Sequence, residues 1–285
     1  MNKTIKLFDV DDAKCVRCGA CVRDCAFRAI KQDDSRFPIM PDEVKCAKCQ
    51  HCFAICPTGA ITFDGRDAAS SVSRKGLDLP SWEQVSNWMK VRRSTRRFKD
   101  DDVPRETIDE ILRQLSASPT GCNARGLTFT CYPDRAAMNA FRASFIKAIE
   151  QHRDGTKLLP RWLAIPAIRM RKGAEDLFFR GATGMVIIST DETNPAVTTP
   201  FEDVIAACTY FEMLAQAKGL VTCWCGFLKL VQREVPELLE KTSSIRRTTP
   251  FYAMLFGNSA ISYPRGTQRE GYATIVYREA SQIGE

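Results

Sequence analysis

One pattern of cysteines constrains this chain more than any other feature. Lys14-Cys15, Cys18, Cys21 and Cys25, with Ala29-Ile30 behind them, recur 31 residues later as Lys45-Cys46, Cys49, Cys52 and Cys56, with Ala60-Ile61. A duplication of this kind means two small copies of one unit, neither able to bury a core alone. Eight of the 13 cysteines lie in this stretch, while Cys122, Cys131, Cys208, Cys223 and Cys225 are scattered. The total is odd, and the opening residues Met1 to Asp9 are broken by charges and carry no signal-peptide core. A disulfide framework is therefore disfavoured, and a cytoplasmic setting is expected.

The spacing C-x2-C-x2-C-x3-C has a direct chemical reading. Thiolates are soft ligands that hold iron tetrahedrally, and three closely spaced cysteines on a tight loop grip three corners of a cubane. In a two-cluster arrangement the fourth cysteine of each run ligates the other cluster. The expected ligand sets are Cys15, Cys18, Cys21 and Cys56 for one 4Fe-4S cluster, and Cys46, Cys49, Cys52 and Cys25 for the second. Zinc is the competing reading, although its sites take two C-x2-C pairs further apart rather than four-cysteine runs. His51, between Cys49 and Cys52, reads as a loop side chain because all eight ligand places are filled; His152 reads as a surface side chain. Residues 5 to 64 resemble bacterial two-cluster 4Fe-4S ferredoxins, departing from them at Ala26-Phe27, where a proline usually follows the fourth cysteine.

The 285 residues suggest two domains. The expected division is a two-cluster domain over 1–64, a polar linker over 65–79 and a larger domain over 80–285. Hydrophobic content of 44% and charged content of 26% suit an ordinary globular chain. No apolar run approaches the roughly 18 residues of a membrane span, so no membrane role is expected. In the larger part, Trp82, Val85, Trp88 and Met89 fall at helical spacing, as do Ile108, Ile111, Leu112 and Leu115 after Pro104. Thr199-Pro200-Phe201-Glu202 has the form of a capping box opening a helix that runs to Lys218. Leu127 to Tyr132, Gly184 to Thr190, Leu220 to Cys225 and Tyr252 to Phe256 read as strands. Mixed helices and strands without a Rossmann glycine fingerprint predict an α+β fold.

The net charge is +7, from 41 basic and 34 acidic residues; the first 64 residues hold 10 and 9 of these, so nearly all the excess follows them. Its densest point is Arg92-Arg93-Ser94-Thr95-Arg96-Arg97. Asp100, Asp101 and Asp102 follow at once and would repel a nucleic-acid backbone, so no nucleic-acid partner is expected. A solvated basic face or a single phosphate site remain, since guanidinium forks and a serine hydroxyl suit a phosphomonoester.

Four segments, in order, resemble the nitroreductase family. They are Arg92-Arg93-Ser94-x-Arg96-x-Phe98 behind an amphipathic helix, Ser118-Pro119-Thr120-Gly121-Cys122-Asn123, Gly219-Leu220-Val221-Thr222-Cys223-Trp224-Cys225-Gly226, and Tyr263-Pro264-Arg265-Gly266-Thr267-Gln268-Arg269. The resemblance implies an FMN-binding α+β domain behind a small duplicated 4Fe-4S domain of ferredoxin type. Carried over by position, Arg92, Ser94 and Arg96 would bind FMN phosphate or ribityl oxygens, Arg93 would lie near the pyrimidine edge, and Arg265 and Arg269 would complete the phosphate clamp. Cys225 and Gly226 would lie along the isoalloxazine. Pro119, Thr120 and Asn123 would reach a flavin held mainly by the other subunit of a homodimer with FMN at its interface. Arg125-Gly126-Leu127 departs from the glutamine-proline-tryptophan often found after the asparagine. The segment Tyr272 to Tyr277 alternates like a strand and would pair with the partner; Trp162, Phe178 and Phe179 read either as cavity lining or as core. The resemblance names no catalytic acid or base.

The expected activity is an FMN-dependent oxidoreductase. Two 4Fe-4S clusters exchange electrons with FMN, an external ferredoxin or NAD(P)H is the donor, and the acceptor is a small nitro, quinone or enone compound. The alternative is an adaptor that relays electrons between proteins without turning over a small molecule.

Overall fold

The computed structural model describes residues 5–153, 159–173, 175–191 and 193–279. They divide into two compact units that do not follow the chain in simple order. The first takes residues up to Asp78 together with Pro119–Gly126 and Asp191–Asp203; the second takes Leu79–Ser118, Leu127–Thr190 and the residues from Val204 on.

In the first unit, strand β1 (Phe8–Val10) and helix α1 (Ala20–Arg23) open the first repeat, and β2 (Lys31–Gln32) and β3 (Pro38–Ile39) form a small hairpin. Helix α2 (His51–Ile55) and strand β4 (Ile61–Phe63) belong to the second repeat. β1 pairs antiparallel with β4, Phe8 opposite Phe63 and Val10 opposite Ile61, so each repeat closes on the other. The duplication extends to the backbone. Arg17, Gly19 and Arg28 have φ of 54°, 71° and 52°; their counterparts 31 residues on, Lys48, Gln50 and Gly59, have 53°, 61° and 61°. A left-handed conformation costs a non-glycine residue roughly 1–2 kcal/mol, so its recurrence at matching places means the surrounding bonds impose one loop shape twice. Leu7, Ile30, Phe53, Ile61 and Phe63 form the unit's core, together with Cys21 and Cys52.

The second unit contains helices α3 (Trp82–Val91) and α4 (Arg105–Gln114), then β5 (Leu127–Tyr132), α5 (Arg135–Arg153) and α6 (Arg161–Arg171). β6 (Gly184–Thr190), α7 (Pro200–Ala217), β7 (Val221–Trp224), α8 (Gly226–Glu234), α9 (Pro236–Ser243) and β8 (Phe251–Gly257) follow. The strands form one antiparallel sheet in the order β5-β6-β8-β7. Alternate residues of its central strands feed two separate cores, as the two-residue period of a strand requires. Met185, Ile187, Ala253 and Leu255 join a core with α5, α6, α8 and α9, whereas Val186, Ile188, Met254 and Phe256 join one with α4 and α7. Covered on both faces, β6 is buried along its whole length, which is why it reads as an apolar run rather than an alternation. The α+β fold is the one expected.

Several expectations take a different form. α3 begins at a capping box between Ser81 and Gln84, yet Trp82 and Met89 are exposed, and no residue of α3 is buried. The helical spacing is real, and among the described residues its apolar face is covered only in part: Val85 and Trp88 are half-buried, and Trp88 donates to Gln216. Phe178 and Phe179 are core: they meet Phe145 and Phe227 ring to ring, and Trp162 packs at the margin. Asp176 holds them there, accepting from the Phe178 and Phe179 amides at 3.1 and 2.8 Å and from Arg142 at 2.8 Å. Thr199 donates to Asp203 at 2.7 Å, so the acid paired with the opening threonine of α7 is Asp203. Tyr272, Ile275, Val276 and Tyr277 join no strand and are exposed. Among the described residues no helix is long and apolar enough to cross a membrane.

Candidate functional site

The eight cysteines of the duplicated run line two separate cavities. Cys15, Cys18, Cys21 and Cys56 line one hollow with Val10, Pro38, Pro57 and Ile61. Cys25, Cys46, Cys49 and Cys52 line the other with Phe27, Ile30, Met40 and Phe63. The crossing of each fourth cysteine to the other set follows from the pairing of β1 with β4, which folds the repeats onto each other. Four sulfurs bound to one zinc at 2.3 Å would stand about 3.8 Å apart. Among the described residues no three histidine, cysteine or acidic side chains converge closely enough to hold a single ion. Four thiols around each hollow are the donor set that a 4Fe-4S cluster takes.

Backbone amides face several of these sulfurs. Ala29 N–H donates to Cys25 Sγ and Ala60 N–H to Cys56 Sγ, each at 3.3 Å, matching bonds in the two repeats. Lys48 N–H donates to Cys46 Sγ at 3.4 Å. Burial pushes the Cys52 thiol up to about 12, so a thiolate there needs an adjacent positive centre such as a metal. Burial also acts against Cys56, but amides including Ala60 and the Thr58 hydroxyl together outweigh it and lower its pKa. His51, expected on a loop, instead opens helix α2; its Nδ1 lies 3.2 Å from Asp24 and the side chain is exposed.

In the second unit the expected phosphate-binding residues form a strap along one end of the sheet. Ser94 bridges to Thr222 of β7, Thr95 N–H donates to the Thr222 carbonyl at 2.9 Å, and Phe98 bridges to Ser259. Arg92, at the C-terminus of α3, donates to Glu212 of α7 at 3.2 Å. Arg93 donates to the carbonyls of Arg92 and Lys90, the latter at 2.7 Å, and Arg96 donates to the Ser94 carbonyl at 3.2 Å. The Lys90 carbonyl also accepts from Thr267 N–H at 3.0 Å, and the Lys90 ammonium lies 3.2 Å from Glu270. The fold thus brings the exposed Arg265 and Arg269 to the same helix end as Arg92 and Arg93. Cys225 caps α8 and is buried, with burial pushing its thiol up to about 12; Gly226 beside it is exposed. An open cleft begins at Gly226 and is lined by Lys229, Gln232, Arg233 and Arg247.

Pro119, Thr120 and Asn123 lie in the first unit. Asn123 donates to the Ala47 carbonyl at 2.7 Å, and Thr120 Oγ1 accepts from Arg125 N–H at 3.1 Å. Two buried acids escaped the sequence analysis. Glu212 joins Arg92 to the Thr222 hydroxyl, at 3.1 Å from the latter; its signal was a lone charge in the apolar run Tyr210-Phe211-Glu212-Met213-Leu214. Asp203 accepts from Gly121 N–H at 2.8 Å and had no such signal, standing beside Glu202 at the start of a helix.

The nitroreductase family matches residues 89–258, and a 4Fe-4S dicluster domain matches residues 14–61. Among solved structures, a nitroreductase with bound FMN from Bacteroides fragilis is 18% identical over 68% of this chain and 99% of its own, with a TM-score of 0.53. A nitroreductase-like family protein from Bacillus cereus is 17% identical over 70% of this chain and 99% of its own, with a TM-score of 0.50. Such identities speak to the fold. No curated protein matches the chain. With a family match over more than half its length, preceded by a dicluster domain, the chain belongs to the nitroreductase family.

Proposed function

We propose that this chain is an FMN-dependent oxidoreductase that feeds electrons from two 4Fe-4S clusters to the flavin for reduction of a small organic acceptor. The observation that carries this reading is the pair of four-cysteine cavities on the same chain as a nitroreductase-family domain. When bound, the clusters supply single-electron transfer, and FMN supplies the conversion between one-electron and two-electron chemistry.

The chain's own residues then have distinct tasks. Cys15, Cys18, Cys21 and Cys56 hold one cluster, and Cys25, Cys46, Cys49 and Cys52 the other, with apolar walls limiting water at the sulfurs. Arg92, Ser94, Arg96, Arg265 and Arg269 bind the phosphate and ribityl end of FMN, and Arg93 faces its pyrimidine edge. Glu212 orients Arg92 from the buried side, leaving the rest of the guanidinium for the ligand. Gly226 would let the backbone approach the ring, while the buried Cys225 beside it stays an un-ionised thiol. Pro119, Thr120 and Asn123 reach a flavin held across a homodimer interface. Lys229, Arg233 and Arg247 give the cleft at Gly226 a positive lining that favours acceptors with oxyanion character.

Anaerobic reconstitution with iron, sulfide and FMN tests the reading. About eight irons per chain and stoichiometric FMN are expected from the ligand count. Turnover of nitroaromatics, quinones or enones is expected with reduced ferredoxin or a nicotinamide donor. Bound zinc, or failure to retain flavin, refutes the reading. Clusters that reduce but pass electrons to no small acceptor favour the adaptor.

A further inference from the structure

The loop of residues 119–126 meets one of the two cysteine loops and not its duplicate. Asn123 Nδ2 donates to the Ala47 carbonyl at 2.7 Å, and the Arg125 guanidinium donates to the Lys48 carbonyl. The Ala47 carbonyl and the Lys48 N–H belong to one peptide group, and that N–H donates to Cys46 Sγ at 3.4 Å. A single amide therefore connects the Asn123 side chain to a sulfur of the second set. In the first repeat the equivalent residues are Val16 and Arg17. Val16 is 63% exposed, and among the described residues no hydrogen bond reaches either carbonyl. Since both loops share one backbone shape, local conformation does not explain the difference.

The loop is held firmly in place. Gly121 N–H donates to the buried Asp203 carboxylate at 2.8 Å, and Thr199 donates to the same oxygen at 2.7 Å. A Cβ on Gly121 would stand 2.1 Å from Thr199 Oγ1, so only glycine permits this approach. Cys122, Asn123 and Arg125 have φ of 50°, 57° and 51°, a strained run that persists because these bonds over-determine it.

We propose that Asn123 and Arg125 are positioning residues that set the potential of the cluster held by Cys25, Cys46, Cys49 and Cys52. The inference rests on the part of the function proposed above in which the eight cysteines hold two clusters. Donation to the Ala47 carbonyl polarises its amide, strengthens the Lys48 N–H bond to Cys46 Sγ and, with the Arg125 charge, stabilises the reduced cluster. The electron that reduces the cluster comes from a one-electron donor, a ferredoxin in function and dithionite in the assay.

The test uses the full reconstituted chain with Asn123→Gly, which keeps the left-handed backbone and removes the donor, and Arg125→Gln, which removes the charge. Reductive titration followed by EPR reads each cluster, with Cys18→Ser identifying the signal of the first. The expected result is a downward shift of potential confined to the second cluster. A shift in the first cluster, equal shifts in both, or none, with FMN and both clusters present, overturns the inference. A chain that holds both clusters and no FMN refutes the functional reading, and the cluster potentials still decide this inference.

Discussion

Replacing Glu212 by alanine removes the acceptor shared by Arg92 and Thr222, and its consequences can be worked from the local geometry. The carboxylate accepts from Arg92 at 3.2 Å and from the Thr222 hydroxyl at 3.1 Å. A hydrogen bond to a charged group contributes about 1.5–3 kcal/mol, and a buried hydroxyl left without a partner costs about 1–3 kcal/mol. Thr222 is fully buried, so its hydroxyl has no water to turn to. Breaking a wholly buried ion pair costs about 3–5 kcal/mol, but the Arg92 side chain is 32% exposed and regains solvent. The net loss should therefore lie near 2–3 kcal/mol, a fall in Tm of about 4–12 °C. Glu212→Gln keeps an acceptor for both partners and should lose about 1 kcal/mol. Arg92→Ala leaves a buried carboxylate and should cost at least as much as Glu212→Ala. The double variant should cost less than the sum of the single ones by about 1 kcal/mol. Thermal and urea denaturation measure these differences, and FMN fluorescence quenching gives the affinity of the same proteins. A Glu212→Ala chain within about 0.5 kcal/mol of the parent, or strictly additive single effects, would refute the pairing. Lost stability with unchanged FMN affinity would refute the positioning of Arg92 for the ligand.

Two further outcomes follow from burial. Gly184 faces Phe256 across the sheet, and a Cβ there would stand 2.3 Å from two ring atoms of a side chain that is 1% exposed. Gly184→Ala should cost about 1–3 kcal/mol by overpacking, and Phe256→Leu in the same chain should recover part of it in thermal melts. Burial raises the Cys208 and Cys225 thiols from 9.0 to about 12. Above pH 9 the unfolded chain releases protons that the folded chain retains, so stability is complete below that pH and falls above it, by about 1.4 kcal/mol per pH unit for each thiol. Urea melts from neutral to alkaline pH should show this slope, and Cys225→Ala should remove one thiol's share of it.

The repeats and the strands at Leu127–Tyr132 and Gly184–Thr190 were legible because each is written in local spacing or in a continuous apolar run. The ends of β7 and β8 moved by a residue because ladder pairing, not composition, ends a strand. The arginine strap was legible from Arg92 to Arg96, but its anchor on Glu212 was not, since the partners are 120 residues apart. Asn123 was singled out for a flavin, while its bond to Ala47, 76 residues away, had no sequence signal. The same holds for α3, whose period predicted a helix without saying what covers its exposed Trp82 and Met89.

The amino-acid sequence alone determined which groups this chain could offer: eight thiols in two registers, a run of guanidinium groups, and an α+β alternation of helices and strands. Ligand chemistry depends on residue type and short spacing, and both are local. Tertiary structure alone decided which cysteine loop the Asn123 segment touches, which acid holds Arg92, and which apolar side chains are core. Those choices depend on contacts between residues far apart in the chain. The 31-residue repeat writes its two loops alike, and only folding makes one the partner of Asn123 and leaves the other exposed.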